Sequence, residues 1–184
     1  QDRADLYRLD VHHPPPLVPR ERRFEVRERC GPRGVIEPLD AESVDRAVDA
    51  VRATGVSAAA VGLLFSFADP THERHVADAL RAALPDVHVS VSYEVLPEIR
   101  EYERLVTTCV DAHLAPVLRG YLGALRQRAS AAGLPTPTIM QSNGGVIDID
   151  DAARHAAWTV LSGPAAGVLG AAIGCRPFVP REPL

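Results

Sequence analysis

The chain contains no lysine, and all 20 of its basic residues are arginine. It therefore offers neither the amine of a Schiff-base enzyme nor the lysine of a P-loop phosphate site. Its three cysteines lie far apart and form no Cys-x-x-Cys pair, which argues against a disulfide scaffold and indicates a reducing, cytoplasmic setting. No hydrophobic run approaches the roughly 20 residues that span a membrane, and no apolar leader opens the sequence.

The composition is that of a folded domain. Of the 184 residues, 46% are hydrophobic and 24% are charged, which supplies enough apolar material for a packed core. The length suits one domain, or one domain and part of another. The net charge of -4 gives no electrostatic basis for binding nucleic acid or an anionic membrane, so neither is expected as a partner.

From residue 40 onward, helical and strand patterns alternate along the chain. Helices are predicted over 40–54, 69–84, 98–132, 149–157 and 162–173. Strands are predicted over 23–30, 58–65, 87–91, 138–141 and 159–161. Pro116 is expected to kink or split the third helix. This order predicts an α/β fold with a mostly parallel sheet and flanking helices, in which the apolar strand 58–65 is buried on both faces.

The sharpest motif is Ser142-Asn143-Gly144-Gly145, at the end of an apolar strand. Two glycines permit positive φ or a close approach of the backbone to a ligand, while Ser and Asn supply a hydroxyl and an amide. Open α/β sheets bind ligands at the carboxyl ends of strands, so these four residues are candidates to line a cleft. Because Asn-Gly is also the commonest turn dipeptide, an ordinary turn is an equally good interpretation.

A second candidate site, Ser162-Gly163-Pro164, opens a predicted helix. Ser162 is suited to cap that helix, and its first N–H groups beside Gly163 can hold an anion. The small residues that follow also allow the helix to pack tightly on a sheet. The absence of a P-loop lysine favours this packing interpretation.

Arg100, Glu101 and Arg104 lie at the start of the longest predicted helix, where they are candidates to contact a substrate or a neighbouring lobe. A solvated helix start explains the same charges, because acidic residues are favoured by the helix dipole. His72 and His75 are three residues apart rather than the four of a zinc-protease helix, so no metal site is expected. These patterns assign no catalytic residue.

Several short strings resemble the hydantoinase A/5-oxoprolinase family and stand in the family's order across about residues 6–173. They are the segments 17–20, 26–29, 38–40, 61–67, 72–73, 97–104, 140–145 and 162–167. The longest reads Pro-Glu-Ile-Arg-Glu-Tyr-Glu-Arg at 97–104, and Met-Gln-Ser-Asn-Gly-Gly at 140–145 is the next most distinctive. The ordered set is far more specific than any single string.

The resemblance implies a fold like that of actin, sugar kinases and Hsp70, with ATP and magnesium held between two lobes of the complete protein. It implies ATP-dependent ring opening of a cyclic amide through a phosphorylated intermediate, with carboxylation of a ketone as the family's alternative reaction. It also implies a second, hydantoinase B-type subunit as a partner. In such an enzyme Ser142–Gly145 would line the interlobe cleft, with Ser162 and Gly163 near the nucleotide side.

The chain lacks the two glycine-rich, aspartate-containing phosphate loops that such family members carry. We therefore expect an internal piece of the subunit that is inactive alone, needs no cofactor of its own, and has the remaining lobes as partners. A non-catalytic relative acting as a binding or assembly module stays open, as does a different small-molecule enzyme built on the Ser-Asn-Gly-Gly turn.

The resemblance also suggests how the chain is divided. We expect 1–38 to be the extended end of the N-terminal hydantoinase/oxoprolinase region, with one or two strands. Residues 39–134 are expected to form an α/β segment ending in a long helix, and 135–174 to begin the central hydantoinase A domain. A loose tail is expected over 175–184.

Overall fold

The computed structural model describes residues 15–174, and within them the chain adopts the predicted α/β class. Its strands are β1 Arg29–Gly31, β2 Gly34–Glu37, β3 Ala58–Val61, β4 His88–Val91, β5 Thr138–Met140 and β6 Val146–Asp148. Its helices are α1 Ala41–Thr54, α2 Thr71–Ala83, α3 Ser92–Val95, α4 Glu101–Ala131, α5 Ile149–Arg154 and α6 Ser162–Gly174. Short 3-10 turns span Arg20–Arg22 and Ala156–Thr159.

The first half of the described chain is built around one parallel strand pair. β3 and β4 pair in parallel from Ala58 opposite His88 to Val61 opposite Val91, and every residue of β4 is buried. Helices α1 and α2 cover this pair with a shared apolar core, whose buried members are Val44, Val48, Val61, Val76, Ala77, Leu80, Val89 and Val91. The crossover through α2 is what lets two sequential strands run in the same direction.

Local sequence signals explain where α1 begins and ends. The Asp40 side chain accepts a hydrogen bond from the backbone N–H of Glu42, and Gly55 closes the helix in the left-handed conformation at φ 63°. The strand predicted over 58–65 is shorter than expected and ends at Val61. The chain then enters a turn in which Phe65 has a left-handed conformation at φ 60°. Only Val61 of β3 is fully buried, so the prediction of burial on both faces was wrong for most of this strand.

Of the kink or split expected at Pro116, the split is wrong, since α4 runs unbroken from Glu101 to Ala131, and the kink stays a prediction. Proline removes one backbone hydrogen bond and costs about 3 kcal/mol in a helix interior. Buried residues on both sides of Pro116, among them Ala112, Ala115 and Leu122, supply packing that offsets this cost. α4 is therefore one continuous helix, and both halves of the described chain pack against it.

The later strands depart from the expected parallel pairing. β5 and β6 form an antiparallel hairpin, because the five residues 141–145 between them are too few for a parallel crossover. β1 and β2 are a second antiparallel hairpin, as the Gly-Pro-Arg-Gly turn at 31–34 indicates. No strand forms over 159–161, where the chain leaves a 3-10 turn and passes through Leu161 at φ 59° into α6.

In residues 15–174, no helix combines the length and apolar character needed to cross a membrane. The loose tail expected over 175–184 lies outside the described residues, and so do residues 1–14 of the extended segment expected over 1–38. The proposed divisions after residues 38, 134 and 174 stay predictions.

Candidate functional site

The Ser142–Gly145 motif is the connection of the β5–β6 hairpin. Gly144 N–H donates to the Gln141 carbonyl at 3.1 Å, and Gly145 N–H donates to Asn143 Oδ1 at 2.7 Å. Gln141 N–H closes the loop on the Gly145 carbonyl at 2.8 Å. The interpretation of this motif as a turn is therefore confirmed. Its role in lining a cleft stays a prediction.

The two glycines of the turn differ in how strongly the backbone requires them. Gly144 has φ 88°, a region that side chains with a Cβ rarely adopt. A Cβ on Gly145 would lie 2.8 Å from Gln141 Oε1 and 3.0 Å from Asn143 Oδ1, and these two side-chain ends would have to shift to admit it. Gly144 is therefore the glycine that the turn needs most.

We expect Gly144→Ala to destabilise the chain by about 1–2 kcal/mol, the cost of placing a Cβ residue in the left-handed region. Its Cβ would meet Leu169 at an ordinary 3.7 Å, so backbone strain rather than a clash sets the loss. Urea unfolding of the 184-residue chain measures it. Gly123→Ala is the matched control: its Cβ meets open space inside α4, and alanine favours helix there, so stability should hold or rise. Equal stability for Gly144→Ala would contradict the account.

Trp158 forms the wall beside the turn. Its carbonyl accepts hydrogen bonds from Ser142 N–H at 2.9 Å and from Ser142 Oγ at 3.2 Å. Its indole Nε1 donates to the Val95 carbonyl at 2.9 Å, and its ring stacks on His155 with centroids 4.2 Å apart. An open cavity of about 240 Å³ is lined by Gln141, Ser142, Asn143 and Trp158. All four lining side chains are uncharged.

Asp111 anchors this wall to α4. The Asp111 side chain is fully buried; its Oδ1 accepts from Ala157 N–H at 2.7 Å and its Oδ2 from Ser90 Oγ at 2.6 Å. One carboxylate thereby joins α4, β4 and the segment that carries Trp158. Sequence patterns did not single out Asp111 or Trp158, because the partners that hold this wall together lie 16 to 63 residues away along the chain.

His155 lies under the Trp158 ring. Burial lowers the pKa of His155 below its ordinary value, and the negative charge of Asp111 opposes that shift. Its Nδ1 is buried and has no hydrogen-bond partner among residues 15–174. The imidazole is therefore favoured in its neutral form, where it serves as a flat support for the indole.

Arg104 lies in the interior instead of facing a ligand. It is fully buried, and its guanidinium donates to Ser92 Oγ at 3.1 Å, to the Glu98 carbonyl at 2.7 Å and to the Leu63 carbonyl at 2.9 Å. The guanidinium also lies 5.6 Å from the centroid of the Phe67 ring. With these partners, Arg104 joins the start of α4 to the loop after β3, and its contact with a substrate or a neighbouring lobe stays a prediction.

Glu73 is the acidic half of this buried network. Its Oε1 accepts from Leu63 N–H at 2.8 Å and Ser92 Oγ at 2.7 Å, and its Oε2 accepts from Tyr93 N–H at 3.0 Å. Burial raises the pKa of Glu73, while these hydrogen bonds and the charge of Arg104 act in the opposite direction. Ser92 Oγ donates to Glu73 Oε1 and accepts from Arg104 Nε, so it connects the two charged groups through hydrogen bonds.

The other predicted site residues lie on helix starts. Arg100 precedes α4 and is exposed, with a 3.4 Å ion pair to Glu103, and Glu101 is the first residue of α4 and half-buried. Ser162 is the first residue of α6 rather than its cap, and Gly163 beside it is exposed. α6 packs against β5, the strand that leads into the Ser142 turn. Roles for these four residues in binding stay proposals.

Comparison with known proteins identifies relatives of this chain. The family model described as the hydantoinase/oxoprolinase N-terminal region matches residues 1–84, and the model described as hydantoinase/oxoprolinase matches residues 104–176. Caprolactamase subunit alpha from Pseudomonas jessenii is 36% identical over 180 residues, covering 96% of this chain and 26% of that subunit. The 5-oxoprolinase of Saccharomyces cerevisiae is 35% identical over 141 residues, covering 77% of this chain and 11% of the relative.

Solved structures agree with the sequence comparison. Nucleotide-free acetone carboxylase, from a study of ATP-dependent acetone carboxylation, matches 91% of this chain with a TM-score of 0.80 at 27% identity, over 24% of its own length. The crystal structure of ATP-dependent caprolactamase matches 93% of this chain with a TM-score of 0.78 at 34% identity, over 25% of its own length.

The chain thus spans about a quarter or less of the proteins it matches. These likenesses confirm the predicted α/β fold of an ATPase type. The caprolactamase relative is named as one subunit, so relatives of this chain occur as parts of multi-subunit enzymes. With two family models together matching most of its length, the chain belongs to the hydantoinase/oxoprolinase family.

Proposed function

We propose that this chain is a segment of an ATP-dependent enzyme that hydrolyses a cyclic amide, and that Ser142 and Asn143 line the cleft receiving the ring. The observation that carries the proposal is the uncharged cavity between the Ser142 turn and Trp158. Two relatives are named for reactions of this class, caprolactamase and 5-oxoprolinase.

The hydrogen-bonding groups of the cavity suit an amide. Asn143 Oδ1 is occupied by Gly145 N–H, which leaves the Asn143 NH₂ group as a donor for a ring carbonyl. Ser142 Oγ donates to the Trp158 carbonyl, which leaves its lone pairs as acceptors for a ring N–H. The indole face of Trp158 supplies apolar surface for the methylene groups of the ring.

The same cavity does not fit a phosphate group. The N–H groups of Gly144 and Gly145, which a phosphate would need, already donate within the turn. No positive side chain lines the cavity, and a phosphate site in such a position requires free N–H groups or cations. ATP and magnesium are therefore not assigned to this cavity, and we derive no step through them from this chain.

The remaining candidate residues receive supporting roles in the proposal. Ser162 and Gly163 lie at the first turn of α6, whose free N–H groups suit the nucleotide side of the cleft. Arg100 and Glu101, accessible at the start of α4, suit contacts with a neighbouring lobe. A hydantoinase B-type subunit completes the enzyme, as the naming of the caprolactamase relative as a subunit supports.

Asn143→Asp tests the cleft assignment without breaking the turn. The aspartate keeps an oxygen for Gly145 N–H but replaces the NH₂ donor with a carboxylate oxygen, which repels a ring carbonyl. We expect kcat/KM for the lactam to fall about 10–100-fold, as losing a hydrogen-bond donor to the bound ring costs about 1–3 kcal/mol. The KM for ATP should not change. Steady-state kinetics of the complete polypeptide with its partner subunit measures both constants.

Gln127→Glu is the matched control, since it makes the same amide-to-acid change at an exposed position of α4. Its kinetic constants should equal those of the parent. A rise in the KM for ATP in Asn143→Asp, with lactam kinetics unchanged, would instead assign the turn to the nucleotide.

A further inference from the structure

Three side chains from distant parts of the sequence converge at the base of the β1–β2 hairpin. His72 Nδ1, in the first turn of α2, lies 2.8 Å from Glu28 Oε2 and 3.4 Å from Cys30 Sγ. The side chains of His72 and Glu28 are only 12% and 7% exposed, and Cys30 is buried. We refer to these three residues as the Glu28–Cys30–His72 cluster.

The cluster has the chemistry of a metal site. A thiol, an imidazole and a carboxylate each present one ligand atom, and the three atoms all lie within 4.8 Å of one another. A tetrahedral zinc ion binds sulfur at about 2.3 Å and nitrogen or oxygen at about 2.0–2.2 Å, so its ligand atoms sit about 3–4 Å apart. The 3.4 Å separation of Cys30 Sγ and His72 Nδ1 already matches that spacing.

We propose that the Glu28–Cys30–His72 cluster binds one zinc ion, through Cys30 Sγ, His72 Nδ1 and a Glu28 carboxylate oxygen. The thiolate selects a borderline-soft cation over magnesium or calcium, which prefer sites made of oxygen alone. Three protein ligands leave the fourth tetrahedral position for water. The site uses no residue of the Ser142 turn and is independent of the proposed cleft.

Binding requires a proton to leave the cluster. In the metal-free chain, burial and then the neighbouring Glu28 raise the pKa of the Cys30 thiol to about 11, so sulfur holds its proton at neutral pH. Zinc displaces that proton to solvent and forms the zinc–sulfur bond. A neutral imidazole binds the ion through Nδ1 with its proton on Nε2.

The ion would tie two parts of the fold together. Cys30 belongs to β1 and Glu28 immediately precedes it, whereas His72 belongs to α2. The Glu28–His72 hydrogen bond already joins the segment before β1 to α2. A zinc ion bound only by the folded chain adds stability according to its concentration relative to its Kd.

Cobalt titration of the chelator-treated 184-residue chain tests the proposal. Cobalt replaces zinc in sulfur-containing sites, and its bond to a thiolate gives a charge-transfer absorption band. We expect one equivalent of cobalt to produce that band, and one equivalent of zinc to remove it. Cys109→Ser should keep the band, because Cys109 lies on α4 and outside the cluster.

Two conservative variants separate the site from general folding. Cys30→Ser should abolish the band. Glu28→Gln keeps the shape of the side chain and should weaken zinc binding by about 100-fold or more, since even outer hydrogen-bond partners of metal ligands matter 10–100-fold. Circular dichroism matching the parent shows that both variants are folded. No cobalt band in the parent chain, or a band of equal strength in Cys30→Ser, would overturn the proposal.

Discussion

Replacing Arg104 with methionine should destabilise the chain by about 3–5 kcal/mol. Arg104 and Glu73 are both fully buried and both hydrogen-bond to Ser92 Oγ, so removing the Arg104 charge takes away the positive charge that favours the Glu73 carboxylate. The substitution also removes the donors that serve the Leu63 and Glu98 carbonyls and Ser92 Oγ. Methionine retains much of the apolar volume, so the loss reports the charge and its hydrogen bonds rather than a cavity.

Urea unfolding measures the Arg104→Met effect. Arg100→Met is its control, because Arg100 lies four residues earlier and is exposed. Surface substitutions of this kind usually change stability by less than about 0.5 kcal/mol. If the two variants lost equal stability, or if Arg104→Met lost less than about 1 kcal/mol, the buried network would not have the structural role assigned to it.

Replacing Asp111 with alanine should cost about 2–4 kcal/mol of stability and also weaken the cleft. The half-buried Ala157 N–H loses its acceptor, while the buried Ser90 Oγ retains its contact with His88 Nε2; a buried group left unsatisfied costs about 1–3 kcal/mol. Ala157 immediately precedes Trp158, whose carbonyl holds Ser142 through two hydrogen bonds. A displaced Ala157 would therefore shift Trp158 and the Ser142 turn, although no residue that lines the cleft is substituted.

The Asp111→Ala variant has two readouts. Urea unfolding gives the stability loss, and steady-state kinetics of the complete enzyme gives the KM for the lactam, which should rise while the KM for ATP holds. Asp150→Ala is the control, because Asp150 forms only an exposed ion pair with Arg126, a type of contact that contributes little. An unchanged lactam KM in a folded Asp111→Ala enzyme would show that α4 does not position the turn.

The sequence predicted features that depend on neighbouring residues. The Asp40 cap and the left-handed Gly55 bound α1, and the Gly31–Gly34 segment turns the first hairpin. Asp148, which directly precedes the predicted helix 149–157, caps α5 by accepting from the N–H groups of Asp150 and Asp151. Each of these signals acts over a few residues, where chain geometry leaves few alternatives.

Features that depend on contacts between distant residues could not be predicted from the sequence. Arg104 looked like part of a solvated helix start, because neighbouring charges gave no sign of its hydrogen bond to Leu63, 41 residues earlier. His72 and His75 are neighbours in the sequence, whereas the contacts of His72 with Glu28 and Cys30 join residues 44 and 42 positions apart. The apolar strand before Ser142 suggested a parallel strand end, but strand direction depends on the length of the connection.

The candidate site was partly visible in advance. Ser142 and Asn143 stood out because a hydroxyl and an amide next to paired glycines is an unusual local pattern. Trp158 and Asp111 complete the wall, and only the folded chain brings them to the turn. Family likeness supplies the reaction class, while the geometry of this chain supplies the uncharged cavity and the reason it suits an amide better than a phosphate.

Lactam-dependent ATP hydrolysis by the complete polypeptide and its partner subunit tests the central claim most directly. The reaction is followed by ADP release and by the appearance of ring-opened amino acid, with caprolactam, 5-oxoproline and hydantoin offered separately. We predict that at least one ring stimulates ADP release and is opened as ATP is consumed. ADP release that ignores all three rings and instead requires acetone and bicarbonate would contradict the account and identify a ketone carboxylase.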